Sequence, residues 1–538
     1  MSSFWYYVPG MLILSAAALL MSFRLIHYFQ LESYQFRGYF KTLLRQKKKA
    51  VFPLLLIGAG VFAISFLLSS TVFPARNTVL GALMRTISVC VPACVCTFLL
   101  EKRRRAEKEK KPLRFTARVK RLAGILAAVL FLVQLILTLV SEKNALGCYG
   151  ILIAFLPVIL SFAALIALPV EKLIFRMYFE DARKKLLKDP DLIRIGITGS
   201  YGKTSTKFVL ATLLSQKYNV LYTPSSFNTP MGVTRVVRER LEPGHQVFIG
   251  EMGARHVGEI KELSRLVTPR IGILTSVGPQ HLDTFGSIER VKKTKYELIE
   301  ALPEDGLAVF SDDGGIVREL YEKTVKPKLL VGTPGSDAWA ENVNVSSEGS
   351  SFTLCLKGME PIECTSMMLG KHNIRNIVVA AAVAKYLGLT RAQIRMGISA
   401  VRPVEHRLQL MRTPGGVTVI DDAFNTNPRS SANAMEILGT FSGRRIVVTP
   451  GMVELGKDEE KFNYEFGRAI TGNADLVFLI GKKHTEPIMR GLKDSGTDEK
   501  NIFVFASLDE ATAKLNHIMR PGDVIMYEND LPDNYSEN

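Results

Sequence analysis

The sequence predicts a multi-span α-helical membrane domain followed by two α/β domains, the first carrying a P-loop and the second Rossmann-like. Three observations predict it. Five long apolar runs precede residue 171, a Gly-rich cluster at 195–206 joins a strand pattern to a helix pattern, and from there short Val/Ile-rich runs alternate with helical stretches. At 538 residues the chain exceeds one ordinary core. The expected division is a membrane domain with five transmembrane helices over 1–170, a linker over 171–189, a central ATP-binding domain over 190–402 and a C-terminal Rossmann-like domain over 403–538.

The apolar runs lie at 4–21, 51–73, 79–100, 122–140 and 149–170, and about 20 helical residues cross about 30 Å of hydrocarbon. The first run lacks a basic n-region and a small-residue cleavage motif, so it reads as an anchor rather than a signal peptide. Arg37, Lys41, Arg45 and Lys47 to Lys49 follow the first run, and Lys102 to Arg105, Lys108, Lys110 and Lys111 follow the third. By the positive-inside rule both segments are cytoplasmic, whereas the connections at 74–78 and 141–147 hold only Arg76 and Lys143 and suit the outer side. Five spans then leave the N-terminus outside and the chain beyond residue 170 in the cytoplasm, the expected localisation being a multi-pass protein of the cell membrane.

The net charge of +17 is concentrated beside these runs, without interleaved aromatic platforms. Anionic lipid explains it, and no nucleic-acid partner is expected. Arg85 lies near the outer end of the third run and reads as a snorkelling side chain. The six cysteines, Cys90, Cys94, Cys96, Cys148, Cys355 and Cys364, form no paired Cys-x-x-Cys knuckles, so neither structural zinc nor a disulfide framework is expected.

Within Ile195-Gly-Ile-Thr-Gly-Ser-Tyr-Gly-Lys-Thr-Ser-Thr206, Gly199 and Gly202 permit a sharp turn that presents backbone N–H groups, with those of Ser200 among them, to a polyphosphate. Lys203 adds a point charge, and the hydroxyl of Thr204 or Ser205 suits magnesium. The spacing is shorter than a full Walker A motif. Further on, a predicted strand over 246–249 runs into Glu251-Met-Gly-Ala254, and another over 271–275 into Ser276-Val-Gly-Pro-Gln-His281-Leu-Asp283. Strand ends in such sheets face one crevice, so Glu251 and His281 are predicted beside the cradle as a magnesium pair. Beyond residue 403, strands are predicted at 417–420, 446–448, 476–480, 502–505 and 524–526, and Asn425, Asn427 and Pro428 open a helix. That region lacks a Gly-x-Gly-x-x-Gly fingerprint, which disfavours NAD.

The order Thr198-Gly-x-x-Gly-Lys-Thr204, Glu251-Met-Gly-Ala254, His281-Leu-Asp-x-Phe-Gly286, Lys295-x-Glu297, Gly370-Lys-His-Asn-Ile-Arg-Asn376, Arg407-Leu408 and Asp421-Asp-Ala-Phe-Asn-Thr-Asn-Pro428 resembles the Mur ligases. Within them it is most similar to the MurF type, which joins D-alanyl-D-alanine to a UDP-muramoyl tripeptide. The resemblance covers residues 190–527 and not the apolar part. It implies an ATP-dependent carboxylate–amine ligase of cell-wall synthesis. ATP phosphorylates a substrate carboxylate, an amine attacks the acyl phosphate, and phosphate leaves.

The resemblance also implies roles. Thr204 and Glu251 match ligands of a magnesium ion on ATP, and His281 matches a ligand of a second ion. Lys295 matches a lysine whose carbamate helps to hold that second ion. Asn373 and Asn376 match positions near the nucleotide, and Arg407 and Asp421 match residues that swing toward phosphate and ribose when the C-terminal domain closes. Lys203, His281 and Lys295 are thus the expected catalytic residues, with ATP and Mg2+ as cofactors. The expected partners are membrane lipid, a wall precursor with a free carboxylate, and an amino acid or dipeptide amine.

Three departures are visible. Apolar runs stand where the MurF type has a UDP-gripping domain, Phe310-Ser-Asp-Asp313 replaces an adenine-contacting Asn-Ala-Asp-Asp, and the last strand leads into Tyr527-Glu-Asn-Asp-Leu-Pro-Asp533 rather than Lys-Gly-Ser-Arg. They point to a lipid-linked acceptor, with a soluble acceptor used by a tethered enzyme as the alternative, to altered adenine recognition, and to D-alanyl-D-alanine or another amine. The alternatives are a poly-γ-glutamate-type ligase and a non-catalytic ATP-binding membrane scaffold.

Overall fold

The computed structural model describes residues 7–67, 79–107, 111–140, 145–225, 227–312, 314–424 and 427–531. The predicted connection at 74–78, the side chain of Arg85, and Lys108, Lys110, Lys143, Asp313, Asn425 and Asp533 lie outside the described residues. The chain divides into two compact units, with the boundary between Phe175 and Arg176.

The first unit is helical. Its described helices run over Val8–Met21, Phe23–Leu31, Phe36–Arg45, Lys47–Ala50, Phe52–Leu67, Val79–Ala106, Ala117–Val140 and Ala145–Ala154, together with the part of Leu156–Leu187 up to Phe175. Leu14, Ala18, Ile26, Tyr39, Leu126, Leu130, Ile153 and Leu160 form its core, while Leu56, Phe98, Leu132, Val140, Phe155 and Phe162 are exposed. Gly58 and Gly150 let two helices approach backbone to backbone, since a Cβ at Gly150 would stand 2.3 Å from the Gly58 carbonyl oxygen. Small residues serve this purpose where helices pack without a hydrophobic driving force.

Four helical stretches are long and apolar enough to cross a membrane: Val8–Leu31, Lys47–Ser65, Ala117–Val140 and Leu156–Leu187. The third predicted run forms the helix Val79–Ala106, with Pro92 inside it, and is not among those four. The fifth run, expected to be continuous, is interrupted at Phe155, because Pro157 has no N–H to donate to a preceding turn. The stretch expected to be a linker is helical as far as Leu187, for no Gly or Pro breaks 171–187.

The second unit holds two sheets. The central sheet comprises β1 (Ile193–Thr198), β2 (Val220–Tyr222), β3 (Val247–Glu251), β4 (Ile271–Leu274), β5 (Leu307–Ser311), β6 (Lys328–Val331), β7 (Ala338–Ser346), β8 (Gly349–Leu356) and β9 (Met359–Ser366). Its order is β2-β3-β1-β4-β5-β6-β7-β8-β9, parallel through β7 and antiparallel beyond. Ile195 and Ile197 of β1, Ile249 of β3, Ile273 of β4 and Val309 of β5 pack against the helices Lys203–Leu214 and Lys371–Tyr386. Register sets Ile197 beside both Glu251 and Ile273, so the loops after β1, β3 and β4 leave from one edge.

The second sheet comprises β10 (Gln409–Arg412), β11 (Thr418–Asp422), β12 (Arg445–Thr449), β13 (Leu476–Ile480), β14 (Ile502–Phe505) and β15 (Val524–Glu528), in the order β10-β11-β15-β12-β13-β14. All pairs are parallel except β10 with β11. This is the expected Rossmann-like pattern, with an added antiparallel edge strand.

Candidate active site

The cradle forms where the glycines predict it. Gly199 has φ +150° and Gly202 φ +80°, and Gly202 caps the helix Lys203–Leu214. A side chain would meet Thr275 Oγ1 at 2.1 Å from Gly199 and Asn376 Oδ1 at 2.8 Å from Gly202, so only glycine fits this turn. Ser200 ties the turn to the loop after β4: its Oγ donates to the Gly278 carbonyl and accepts from Gly278 N–H, each at 3.0 Å. Lys203 Nζ donates to the carbonyls of Gly199 at 2.6 Å and Ser200 at 3.1 Å. Burial pushes this ammonium down to about 8, with Arg407 adding to the shift and Glu251 opposing it.

Glu251 ends β3 directly behind the cradle. Thr204 Oγ1 and Asn228 Nδ2 each donate to its Oε1 at 3.1 Å, and Lys207 Nζ donates to its Oε2 at 2.8 Å. Lys207 and Glu251 are 0% and 1% exposed. Burial works to raise the carboxyl, but Lys207 and Lys203 outweigh it and hold Glu251 ionised below its ordinary range. Thr204, not Ser205, makes this contact; Ser205 is buried in the helix. Lys207 escaped the sequence reading. Its signal was a lysine one turn beyond Lys203 on a largely buried helix.

His281 follows β4 in a left-handed conformation, φ +52°. Its Nδ1 lies 2.7 Å from Glu454 Oε2, and Arg255 Nη1 lies 3.2 Å from Glu454 Oε1. Burial holds His281 below its usual value and hence neutral, with Arg255 and Lys295 adding to the shift. The His281 bond and Arg255 overcome burial to hold Glu454 at about 2, so Nδ1 carries the proton and donates it. Nε2 is left with its lone pair. Lys295, on the helix Ile288–Glu300, is 1% exposed, and burial followed by repulsion from Lys203 holds its amine well below the usual lysine value. Glu297 has a structural post, accepting from the N–H groups of Gly258 and Lys261 at 2.9 Å.

Asn373 and Asn376 brace the cradle rather than cap their helix. Asn376 Oδ1 accepts from Thr206 Oγ1 at 3.2 Å, and Asn376 Nδ2 donates to Asn373 Oδ1 at 3.2 Å. Arg407 lies over the Phe424 ring at 4.4 Å and adds positive charge that depresses Lys203, Lys207 and His372. His372, also missed, is pushed down to about 4 by burial and by Arg375, Arg429 and Arg407. Asp421 accepts from Ala423 N–H at 3.0 Å and pairs with His406 Nδ1 at 2.7 Å. Its neighbour Asp422 is pushed up to about 6 by burial, although Arg407 and the Leu408 N–H favour its charge.

Two of the departures acquire structural roles. Asp312 is buried and pairs with Arg318, accepting also from Thr333 Oγ1 at 3.0 Å. Glu528 is buried and accepts from Ser431 Oγ at 2.7 Å and Thr449 Oγ1 at 3.1 Å, so this first acidic residue of the tail is tied to the sheet and to the helix after β11.

Among the described residues no three His, Cys, Asp or Glu side chains converge to hold a metal on their own. Thr204 and Glu251 nevertheless fit magnesium, which keeps waters and completes its shell with substrate phosphates. His281 fits a second ion, because a ligating histidine typically donates its other N–H to a carboxylate, as Nδ1 does to Glu454. With Lys207 already neutralising Glu251, folding is not expected to depend on an ion at Thr204 and Glu251. Chelator added to the nucleotide-free protein is expected to leave the unfolding midpoint within about 1 °C, read by thermal melting against the several degrees per kcal/mol typical of domains.

Comparison with known proteins bears on the whole unit. The Mur ligase middle domain model matches residues 197–384, and the Mur ligase glutamate ligase domain model matches 406–527. The UDP-N-acetylmuramoyl-tripeptide--D-alanyl-D-alanine ligase of Bacillus subtilis (strain 168) is 34% identical over 291 residues, 54% of this chain and 62% of the relative. The ligase of that name from Mycobacterium tuberculosis (strain H37Rv) is 33% identical over 359 residues, 62% of this chain and 69% of the relative. The chain thus spans less than two thirds of the Bacillus relative's length. The crystal structure of MurF ligase from Thermotoga maritima in complex with ADP superimposes with a TM-score of 0.60 and 25% identity, covering 68% of this chain and 82% of that one. With both domain models matched in order and the Mycobacterium relative similar over 69% of its length, the chain belongs to the Mur ligase family.

Proposed function

We propose that this protein is a MurF-like ATP-dependent carboxylate–amine ligase acting on a muramoyl peptide at the cytoplasmic face of the cell membrane, with D-alanyl-D-alanine as the first amine to test. The observation that carries the reading is the convergence, at one edge of the central sheet, of a phosphate cradle, the Thr204–Glu251 pair and His281 held by Glu454, with the buried Lys295 near enough to Lys203 and Glu251 to feel their charge.

The cradle amides and Lys203 bind and orient the polyphosphate, and Lys203 with Arg407 faces the charge that builds as the γ-phosphoryl group moves to the substrate carboxylate. The new P–O bond to the carboxylate forms as the bond to ADP breaks. The amine then attacks the acyl carbon, inorganic phosphate leaves with the bonding pair, and the amine's proton is lost. Thr204 and Glu251 would hold one magnesium ion, and His281 with carbamylated Lys295 a second. Magnesium, when bound, supplies charge neutralisation on the phosphoryl oxygens. Closure of the C-terminal domain keeps water from the acyl phosphate.

The helical unit supports a lipid-linked acceptor in place of a UDP-linked one. Its long helices expose large apolar side chains, and basic residues follow the first and third apolar runs. Anchoring the catalyst beside a membrane substrate raises effective concentration without any new contact.

The experiment is phosphate release by the full-length protein in detergent with ATP, magnesium and D-alanyl-D-alanine, comparing UDP-muramoyl tripeptide with its lipid-linked counterpart. The lipid-linked acceptor is expected to give kcat/KM at least about tenfold higher, equivalent to about 1.4 kcal/mol. Equal turnover of both would make the helical unit a tether only. Silence with both acceptors would reject this amine–acceptor pair.

A further inference from the structure

We infer that Glu454 is a positioning residue of the catalytic centre: it couples closure of the C-terminal domain to the tautomer and orientation of His281. The inference rests on the ligase reading above and extends it to a side chain that no motif singled out.

Glu454 belongs to the loop after β12, in the C-terminal domain, while His281 and Arg255 belong to the loops after β4 and β3. Across 173 residues of chain, the Glu454 carboxylate accepts from His281 Nδ1 at 2.7 Å and pairs with Arg255 at 3.2 Å. Its side chain is 10% exposed and that of His281 13%, so both groups give up water for this contact. His281 and Glu454 are non-glycine residues with φ of +52° and +66°. Left-handed backbone at a non-glycine residue persists only where its surroundings over-determine it. Here two such residues meet through their side chains.

A purely structural ion pair does not require the histidine. Arg255, its side chain 58% exposed, would by itself bind the carboxylate from the solvent side. The histidine bond does something Arg255 cannot: a carboxylate on Nδ1–H dictates that Nε2 carries the lone pair, and it fixes the ring plane. Because the carboxylate arrives on the other domain, that dictation operates only while the domains are together. An open enzyme is left with an unset His281.

The test uses the full-length protein in detergent and two readouts. The first is hydrogen–deuterium exchange without nucleotide, metal or turnover, which scores the coupling independently of the ligase reading. Glu454→Ala is expected to raise exchange in both 276–286 and 450–458 while leaving the helix 371–386 unchanged; Glu454→Gln, still an acceptor for Nδ1–H, is expected to keep most of the protection at 276–286. The second is steady-state kinetics. Glu454→Ala is expected to lower kcat by about 10- to 100-fold with the KM for ATP within about threefold, and Glu454→Gln to recover most of kcat. Unchanged exchange at 276–286 in Glu454→Ala would overturn the inference. So would exchange that rises equally throughout the unit, or a defect confined to KM. Should wild type form no amide while the exchange pattern holds, the ligase reading fails and the coupling stands.

Discussion

Lys203→Ala is expected to lower kcat for ATP-dependent phosphate release by about 10²–10³-fold, about 3–4 kcal/mol of transition-state stabilisation. Two effects add. The variant loses the cation closest to the cradle carbonyls, and it loses a positive charge that helps to keep Lys295 neutral. Its loop also gives up two hydrogen bonds, each worth about 1 kcal/mol net, so the unfolding midpoint in denaturant must be recorded alongside the rate. A midpoint near wild type with lost turnover assigns the defect to chemistry. Lys203→Arg keeps the charge but cannot fold its fork into the site of a single Nζ, and it is expected to rescue little. Turnover close to wild type in Lys203→Ala would contradict the mechanism.

Lys295→Ala is expected to cost about 10²–10³-fold in kcat and to recover partly when acetate or formate is supplied. The reason is the amine's own condition. Burial and the neighbouring Lys203 hold it well below the ordinary lysine value, which makes the neutral, nucleophilic form available near neutral pH. A neutral amine adds carbon dioxide: an N–C bond forms, one proton leaves, and the site gains a carboxylate without a carboxylate in the sequence. The sign of the pH dependence follows. Lower pH protonates the amine and expels carbon dioxide, so wild-type activity is expected to fall after acid incubation and to return with bicarbonate at neutral pH. Lys295→Ala should show neither response. Full activity in Lys295→Ala would reject the carbamate.

Much of this was legible because the signals were local. The strand pattern expected ahead of the cradle is β1, and the readings at 476–480 and 502–505 coincide with β13 and β14. In these parallel strands, apolar runs bounded by breaks carry the information. Three kinds of feature were hidden. The antiparallel extension β7 to β9 begins with a strand, β7, whose polar residues resemble a loop. Glu454 is an ordinary acidic residue until the fold brings it across the chain to His281. Lys207 and Asp422 sit beside recognised residues, Lys203 and Asp421, and only burial distinguishes them from solvent-facing charges. Helix continuity through 171–187 was hidden for a different reason: the change in composition there marks a change of surroundings, not a change of backbone.

The order of strands in the second sheet bears on how the chain is made. β15, synthesised after every other strand, lies between β11 and β12 in the middle of the sheet. Until it emerges from the ribosome those two strands each present a row of unpaired backbone groups, a template for pairing with the wrong chain. The C-terminal domain can therefore complete its sheet only once residues 524–528 have emerged, and from the completion of β12 until then it carries an open slot that β15 must win.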